Sequence, residues 1–185
     1  YDIAASTEQR LTTSNSTEAA PAISGDIVAW QLYRGNANWD VVVRNLSTSV
    51  ETRLTGRLAP RQSVAISGDF VVWQDYRNGN ADIYVHDLAT GKERPLTVNM
   101  ADQIAPAISG GQVFMADYRS GQPDIALQLA NRPPVLQPIG DKTVKAGHLL
   151  SCNVAASEPD GDALAWKRGD LPDVNGDGRI DYGDL

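Results

Sequence analysis

Cysteine, histidine, clustered basic residues and long apolar runs are all scarce in this 185-residue chain, and each scarcity closes off a class of protein. The single cysteine, Cys152, permits no intrachain disulfide, so the chain is not a bridge-stapled miniature of the kind common among small secreted domains. Cys152 lies in the run Leu149-Leu150-Ser151-Cys152-Asn153-Val154 and reads as a small buried strand residue rather than a nucleophile. The two histidines, His86 and His148, belong to no Gly-x-Ser-x-Gly or His-Glu-x-x-His pattern, and no glycine-rich phosphate loop precedes a helix. No enzymatic activity is therefore expected. No apolar run reaches the roughly 18 residues of a spanning helix, so membrane insertion is not expected. Lys and Arg are scattered and the net charge is −7, which argues against nucleic acid as a partner. No signal peptide is visible, and the opening Tyr1-Asp2-Ile3 reads as the start of a processed chain or a fragment.

What is present is a repeat. Ala22-Ile23-Ser24-Gly25-Asp26 returns as Ala65-Ile66-Ser67-Gly68-Asp69 and as Ala107-Ile108-Ser109-Gly110-Gly111, with serines 43 and then 42 residues apart. Leu11-Thr12, Leu54-Thr55 and Leu96-Thr97 keep the same two spacings. Two independent markers on one period define a structural unit. Within it, Asp69-Phe70-Val71-Val72-Trp73-Gln74 reads as a short strand after a Ser-Gly turn, and Ile27-Val28-Ala29-Trp30 matches it. Asn78-Gly79 predicts a tight hairpin with positive φ angles, Asp82 to Leu88 an alternating strand, and Glu93 to Thr97 a short outer strand. Pro95 fits only at an edge or strand end, because it cannot donate to a ladder. Four short strands in about 40–45 residues are the pattern of a propeller blade, and no segment keeps a helical period. The expected fold class is all-β: four-stranded propeller-type blades, about three blades' worth, then a partial β-sandwich module and a short C-terminal loop.

The run Ile66-Ser67-Gly68-Asp69 to Trp73-Gln74-Asp75-Tyr76-Arg77, followed by Asp82-Ile83-Tyr84-Val85 and Leu96-Thr97, resembles the TolB-like propeller repeats of prokaryotic surface proteins over residues 1–130. Two repeats are complete. Residues 1–13 resemble the final strands of a blade and 105–129 the first strands of another. Propellers use about four to eight blades, so three cannot close a ring in the usual way. The repeats are expected to belong to a longer protein or to a ring shared between chains, two of which would reach the six blades usual in the family resembled. Tyr33-Arg34 with Asp40, Tyr76-Arg77 with Asp82, and Tyr118-Arg119 with Asp124 recur, and read as Arg–Asp pairs across a hairpin rather than as a repeated ligand site. Trp30, Trp73 and their replacement Met115 read as core between blades. His86 is expected to face solvent or a polar neighbour.

Composition shifts at Asn131-Arg132-Pro133-Pro134. Residues 131–166, with Glu158-Pro159-Asp160-Gly161-Asp162 near their end, resemble the opening half of an immunoglobulin- or cadherin-like module of bacterial and archaeal surface proteins. That module is assigned to 131–167. Its acidic turn reads as a polar bend at Gly161, the alternative being a calcium site between domains. A strand from another chain completing it would make a filament or surface-layer subunit.

The sharpest chemical motif is Asp173-Val174-Asn175-Gly176-Asp177-Gly178-Arg179-Ile180-Asp181-Tyr182-Gly183-Asp184. Ca2+ takes about six to eight oxygens, and a 12-residue loop supplies them from positions 1, 3, 5, 7, 9 and 12. Those positions are Asp173, Asn175, Asp177, Arg179 through its carbonyl, Asp181 and Asp184, with Gly178 at the sharp turn. Asp rather than Glu at the last position resembles the loops of dockerin modules, whose pair of loops implies cohesin binding. One loop lies within 168–185, so calcium is the expected cofactor and cohesin binding is not. The functional expectation is a non-catalytic, extracellular or cell-surface structural or adhesion protein with a calcium-stabilised C-terminal region, associating with itself or with another surface protein. The alternatives are a protein- or glycan-binding propeller, or a non-catalytic piece of a larger secreted carbohydrate-active enzyme. Asn15-Ser16-Thr17 and Asn45-Leu46-Ser47 are glycosylation-type triplets that suit a surface location.

Overall fold

The computed structural model describes residues 8–56, 59–132, 135–136 and 156–157. Among these described residues all regular structure is β. The chain divides into two compact units, Tyr1–Ala130 and Asn131–Leu185. The first unit opens with a four-stranded antiparallel sheet of β1 (Glu18–Ser24), β2 (Ile27–Gly35), β3 (Asn38–Asn45) and β4 (Glu51–Arg53). A second such sheet holds β5 (Arg61–Ser67), β6 (Phe70–Asp75), β7 (Asp82–Asp87) and β8 (Lys92–Pro95). The third has three strands, β9 (Gln103–Ser109), β10 (Gln112–Asp117) and β11 (Asp124–Leu129). In the second unit β12 (Val135–Leu136) pairs with β13 (Ala156–Ser157). Strands are paired in chain order within each blade, as in an up-and-down propeller.

Both sequence markers have a physical role. The Ser-Gly-Asp run forms the two-residue hairpin between the first two strands of each complete sheet, where Gly25 and Gly68 take φ of +54° and +55°. An L residue there meets its own carbonyl, so glycine is favoured. The serine also ties the sheets together: Gly68 N donates to Ser24 Oγ (2.9 Å) and Gly110 N to Ser67 Oγ (3.1 Å). The Leu-Thr marker fastens each outer strand to the third strand of its own sheet. Thr55 Oγ1 donates to Asp40 Oδ1 (3.1 Å) and accepts from Val41 N (3.0 Å). Thr97 does the same for Asp82 (3.2 Å) and Ile83 N (2.9 Å).

A third repeated feature carries no residue-type signal. Ala20, Ser63 and Ala105 all sit at φ between +50° and +55°, at a register break in the first strand of each sheet. Each is a β-bulge, a local kink that bends the first strand. The Asn78-Gly79 hairpin differs from its expectation. Gly79 alone takes positive φ, and its N–H closes a turn on Tyr76 O (3.1 Å) inside a longer loop from Tyr76 to Ala81.

The core lies between sheets. Ala29, Val41 and Val43 of the first pack with Val64, Ile66, Val71, Trp73 and Tyr84 of the second. The second sheet's opposite face, Phe70, Val72, Ile83 and Val85, packs with Val113, Met115 and Ala126 of the third. Trp30 is buried, Trp73 and Met115 fully so. Burying side chains of this size contributes about 1.5–3 kcal/mol each, which makes these seams the main source of cohesion in the first unit.

Candidate functional site

The end of the blades opposite the Ser-Gly hairpins gathers the charged residues. Here the second-to-third strand loops meet the connections from one sheet to the next, because antiparallel strands in chain order return every such turn to one side. Arg61, at the start of β5, has a side chain only 1% exposed. Its Nε donates to Asp75 Oδ2 (2.8 Å), and its Nη1 donates to Trp39 O (2.9 Å) and lies 3.7 Å from Asp40 Oδ1 in the first sheet. Asp75 also accepts from Trp73 Nε1 (2.9 Å), from Arg77 N (2.9 Å) and from the Arg77 guanidinium. Burial alone would raise the Asp75 carboxyl. The hydrogen bonds from Arg77 and Trp73, with the charge of Arg61, outweigh it and hold the group below the usual carboxylate range. Arg77 reaches on to Glu93 (2.6 Å) and lies 4.0 Å over the Tyr84 ring, a cation–π contact.

The repeated Tyr-Arg…Asp groups are thus structural, with partners that differ from expectation in two of three sheets. Arg34 pairs with Asp40 across its hairpin at 3.4 Å, as expected. Arg77 and Arg119 turn back instead to Asp75 and Asp117, two residues earlier in the chain. Asp82 takes Asn78 and Thr97 in their place, and Asp124 takes Ser120. Asp117 repeats Asp75: burial raises it, and the bonds from Arg119 and Gln103 bring it below its ordinary value. His86 is half-buried beside Glu93, and burial lowers its pKa against the opposing charges of Glu93 and Asp87.

Two glutamines that repeat after tryptophan bridge the seams, a role the sequence reading missed although Trp30-Gln31 and Trp73-Gln74 recur 43 residues apart. Gln31 Nε2 donates to Arg61 O (2.6 Å), and Gln74 Oε1 accepts from Ala105 N (3.2 Å) at the bulge.

With the charges held in pairs, the accessible feature of this end is a recess of about 490 Å³ between the Asn78–Asn80 loop and the connection Val98–Met100, with Asp82 at its wall. Asn80 Nδ2 holds that connection by donating to Asn99 O (3.0 Å) and Ala101 O (3.2 Å). Val98 and Met100 project from it, 78% and 98% exposed. A smaller recess of about 230 Å³ lies on the other side of Val98 and Asn99, toward Asp117 and Arg119. Among the described residues no group of three or more His, Cys, Asp or Glu is arranged to hold a metal. The calcium-ligand candidates Asp173, Asn175, Asp177, Arg179, Asp181 and Asp184, Cys152 and the Glu158–Asp162 turn lie outside the described residues.

No protein-family model matches the chain, and no curated protein does. Solved structures do. The TolB structure from Acinetobacter baumannii matches with a TM-score of 0.52 at 18% identity, over 66% of this chain and 34% of that one. A putative TolB from Agrobacterium tumefaciens matches at 0.48 and 17%, over 83% of this chain and 49% of that one. The β-propeller domain of the Trilobed protease from Pyrococcus furiosus matches at 0.40 and 11%, over 80% and 56%. The chain spans about a third of the length of the A. baumannii protein. Together with the three antiparallel sheets of the first unit, the likeness to the A. baumannii structure shows an all-β fold of propeller type, similar to TolB in its blades.

Proposed function

We propose that this chain is a non-catalytic, protein-binding propeller module of an extracellular or cell-surface protein. The observation that carries the reading is the recess beside Val98 and Met100. Two apolar side chains, one of them a long methionine, stand in water at the rim of a concavity lined by amides and one carboxylate. Concave, partly apolar sites with a few convergent polar groups are the usual form of recognition surfaces, and an adaptable methionine suits a partner's apolar side chain. The neighbouring ionisable groups Asp40, Asp75, Asp82, Arg61 and Arg77 are engaged in holding strands together, which favours binding over acid–base chemistry. The partner is a protein segment that places an apolar side chain over Met100 while its backbone meets Asn78, Asn80 and Asn99.

The C-terminal loop supplies the second part of the reading. Asp173, Asn175, Asp177, the Arg179 carbonyl, Asp181 and Asp184 form an all-oxygen donor set, which suits a hard cation such as Ca2+ rather than a thiophilic metal. Calcium bound there would stiffen the loop that holds it.

Selection of a displayed random peptide library on the immobilised 185-residue chain tests the binding reading. Enriched peptides carrying an apolar anchor are expected, with affinity reduced at least tenfold by Met100→Asp while the melting temperature is unchanged. No enrichment, or equal binding by the variant, would overturn it.

A further inference from the structure

The aspartate near the start of the third strand has the same structural duty in both complete sheets. Asp40 Oδ1 accepts from Thr55 and Asp82 Oδ1 from Thr97, which fastens the outer strand. The second carboxylate oxygen is where the sheets differ. Asp82 Oδ2 accepts from Asn78 Nδ2 (3.1 Å), which the long loop from Tyr76 to Ala81 brings within reach. The β2–β3 hairpin is shorter, and its Asn38 amide is spent on Gly35 O and Asn36 O (both 3.2 Å). Asp40 Oδ2 is buried and, among the described residues, accepts no hydrogen bond.

Two guanidinium groups converge on it instead. Arg34 Nε and Arg53 Nη1 each lie 3.4 Å from this one oxygen. Leu32 stands where the second sheet has Asp75, so Arg34 has no carboxylate two residues back and turns to Asp40. Arg53 stands at the register position of Pro95, since Val42 faces Arg53 as Tyr84 faces Pro95. At 3.4 Å both contacts are ionic rather than hydrogen-bonded, because charge-assisted N–H···O bonds measure about 2.7–2.9 Å. Arg61 adds positive charge 3.7 Å from Oδ1, although Asp75 already holds it. Two further carboxylates stand near. Glu18, in the cross-strand row with Leu32 and Asp40, accepts from Thr12 and Ser14, and Glu51 faces Arg44. The Asp40 side chain is 3% exposed, those of Arg34 and Arg53 42% and 48%. A buried charge thus gathers two accessible arginine forks.

We propose that Arg34 and Arg53 form a clamp for a hydroxylated carboxylate, the chemistry of a uronic acid sugar. Both nitrogens lie close to one atom, so a single carboxylate spans them, and planar guanidinium groups match its two oxygens. When the two arginines turn outward onto that carboxylate, Asp40 Oδ2 is uncovered and a ligand hydroxyl donates to it. That hydroxyl satisfies a buried acceptor that is costly to leave unpaired. An acid with a neighbouring hydroxyl is therefore favoured over a bare carboxylate, and a neutral sugar leaves the arginines without their anion. The clamp shares no residue with the lining of the recess at Met100, so either reading stands without the other.

The test is an NMR titration of the isotope-labelled 185-residue chain with galacturonate, galactose and acetate at matched ionic strength. Galacturonate is expected to bind at least tenfold more tightly than either of the others, and equally well to the Met100→Asp chain. Arg53→Ala, which breaks an exposed ion pair and should leave the urea midpoint unchanged, is expected to weaken galacturonate at least tenfold. Asp40→Asn should erase the preference for galacturonate over acetate. An oligogalacturonate that binds at least tenfold better than the single sugar assigns the ligand to a polysaccharide, and equal affinity assigns it to a free sugar acid. Galacturonate no tighter than acetate, or bound equally by Arg53→Ala, would overturn the proposal.

Discussion

In the second sheet Val72, Ile83 and Val85 are buried against the third, whereas the residues one repeat later, Phe114, Ile125 and Leu127, are exposed. The strands have nearly the same apolar content and the same pairing. What differs is that, among the described residues of the first unit, the second sheet packs against a following sheet and the third does not. A blade is therefore amphipathic only in context: its strands need a neighbour on each face, and burial in the middle of the array says nothing about burial at its end. The charged residues differ in the same sense. Asp75 and Asp117 are one repeat apart and both hold an arginine two positions on. Asp75 also neutralises Arg61, which is buried in the seam, while Gln103 takes the place of Arg61 in the third sheet.

Breaking the two aspartates separates these situations most widely. Asp75→Ala leaves the Arg61 charge buried with Asp40 as its remaining carboxylate, at 3.7 Å. Removing one partner of a buried pair costs about 3–5 kcal/mol. Asp117→Ala releases an exposed Arg119, and Gln103 keeps its bonds to Asn99 and Ala101, so the loss is that of a net hydrogen bond or two, about 1–2 kcal/mol. Urea unfolding monitored by tryptophan fluorescence reads both. Equal losses would mean that Arg61 does not depend on Asp75.

A smaller contrast sharpens the apolar half of the comparison. Ile83→Ala empties a fully buried position in the seam and should cost about 2–5 kcal/mol. Ile125→Ala, one repeat later, should stay within about 0.5 kcal/mol in the isolated chain. A large loss at Ile125 at high protein concentration, fading on dilution, would be the signature of a covered face.

The repeat was legible because both markers serve geometry that every blade must satisfy. Ser24 and Ser67 each reach the next sheet's glycine, and Thr55 and Thr97 each fasten an outer strand, so neither can drift in spacing without breaking a bond. The partners of Arg77 and Arg119 were not legible. An arginine side chain reaches an aspartate across the hairpin or two residues back with equal ease, and the burial that decides between them depends on the adjacent sheet. The bulges at Ala20, Ser63 and Ala105 left no trace either, since alanine and serine are not residues that announce positive φ. The recess arises from the Val98–Met100 connection folding back on Asn80, a long-range contact invisible to local pattern. The Asp173–Asp184 motif, whose spacing and oxygen donors made it the clearest chemical signal in the sequence, falls outside the described residues.

Acid should distinguish the sheets by the smallest margin. His86 in β7 has glutamine, Gln128, as its counterpart one repeat later. Burial holds His86 below its ordinary 6.5, against Glu93 and Asp87, so below that pH the unfolded chain binds more protons than the folded one. Unfolding free energy therefore falls as pH drops from about 6.5 toward the folded value. Asp75 and Asp117 are depressed from 3.8, and their contributions, complete above that value, are lost as pH falls below it toward their folded values. Two separate declines are expected, a shallow one that sets in as pH falls below about 6.5 and a steeper one below about pH 4. His86→Gln, which makes the second sheet like the third at this position, should abolish the first decline and leave the second intact. A shallow decline that persists in the variant would assign it to another group, and a stability that rises on acidification would reverse the sign of the His86 shift.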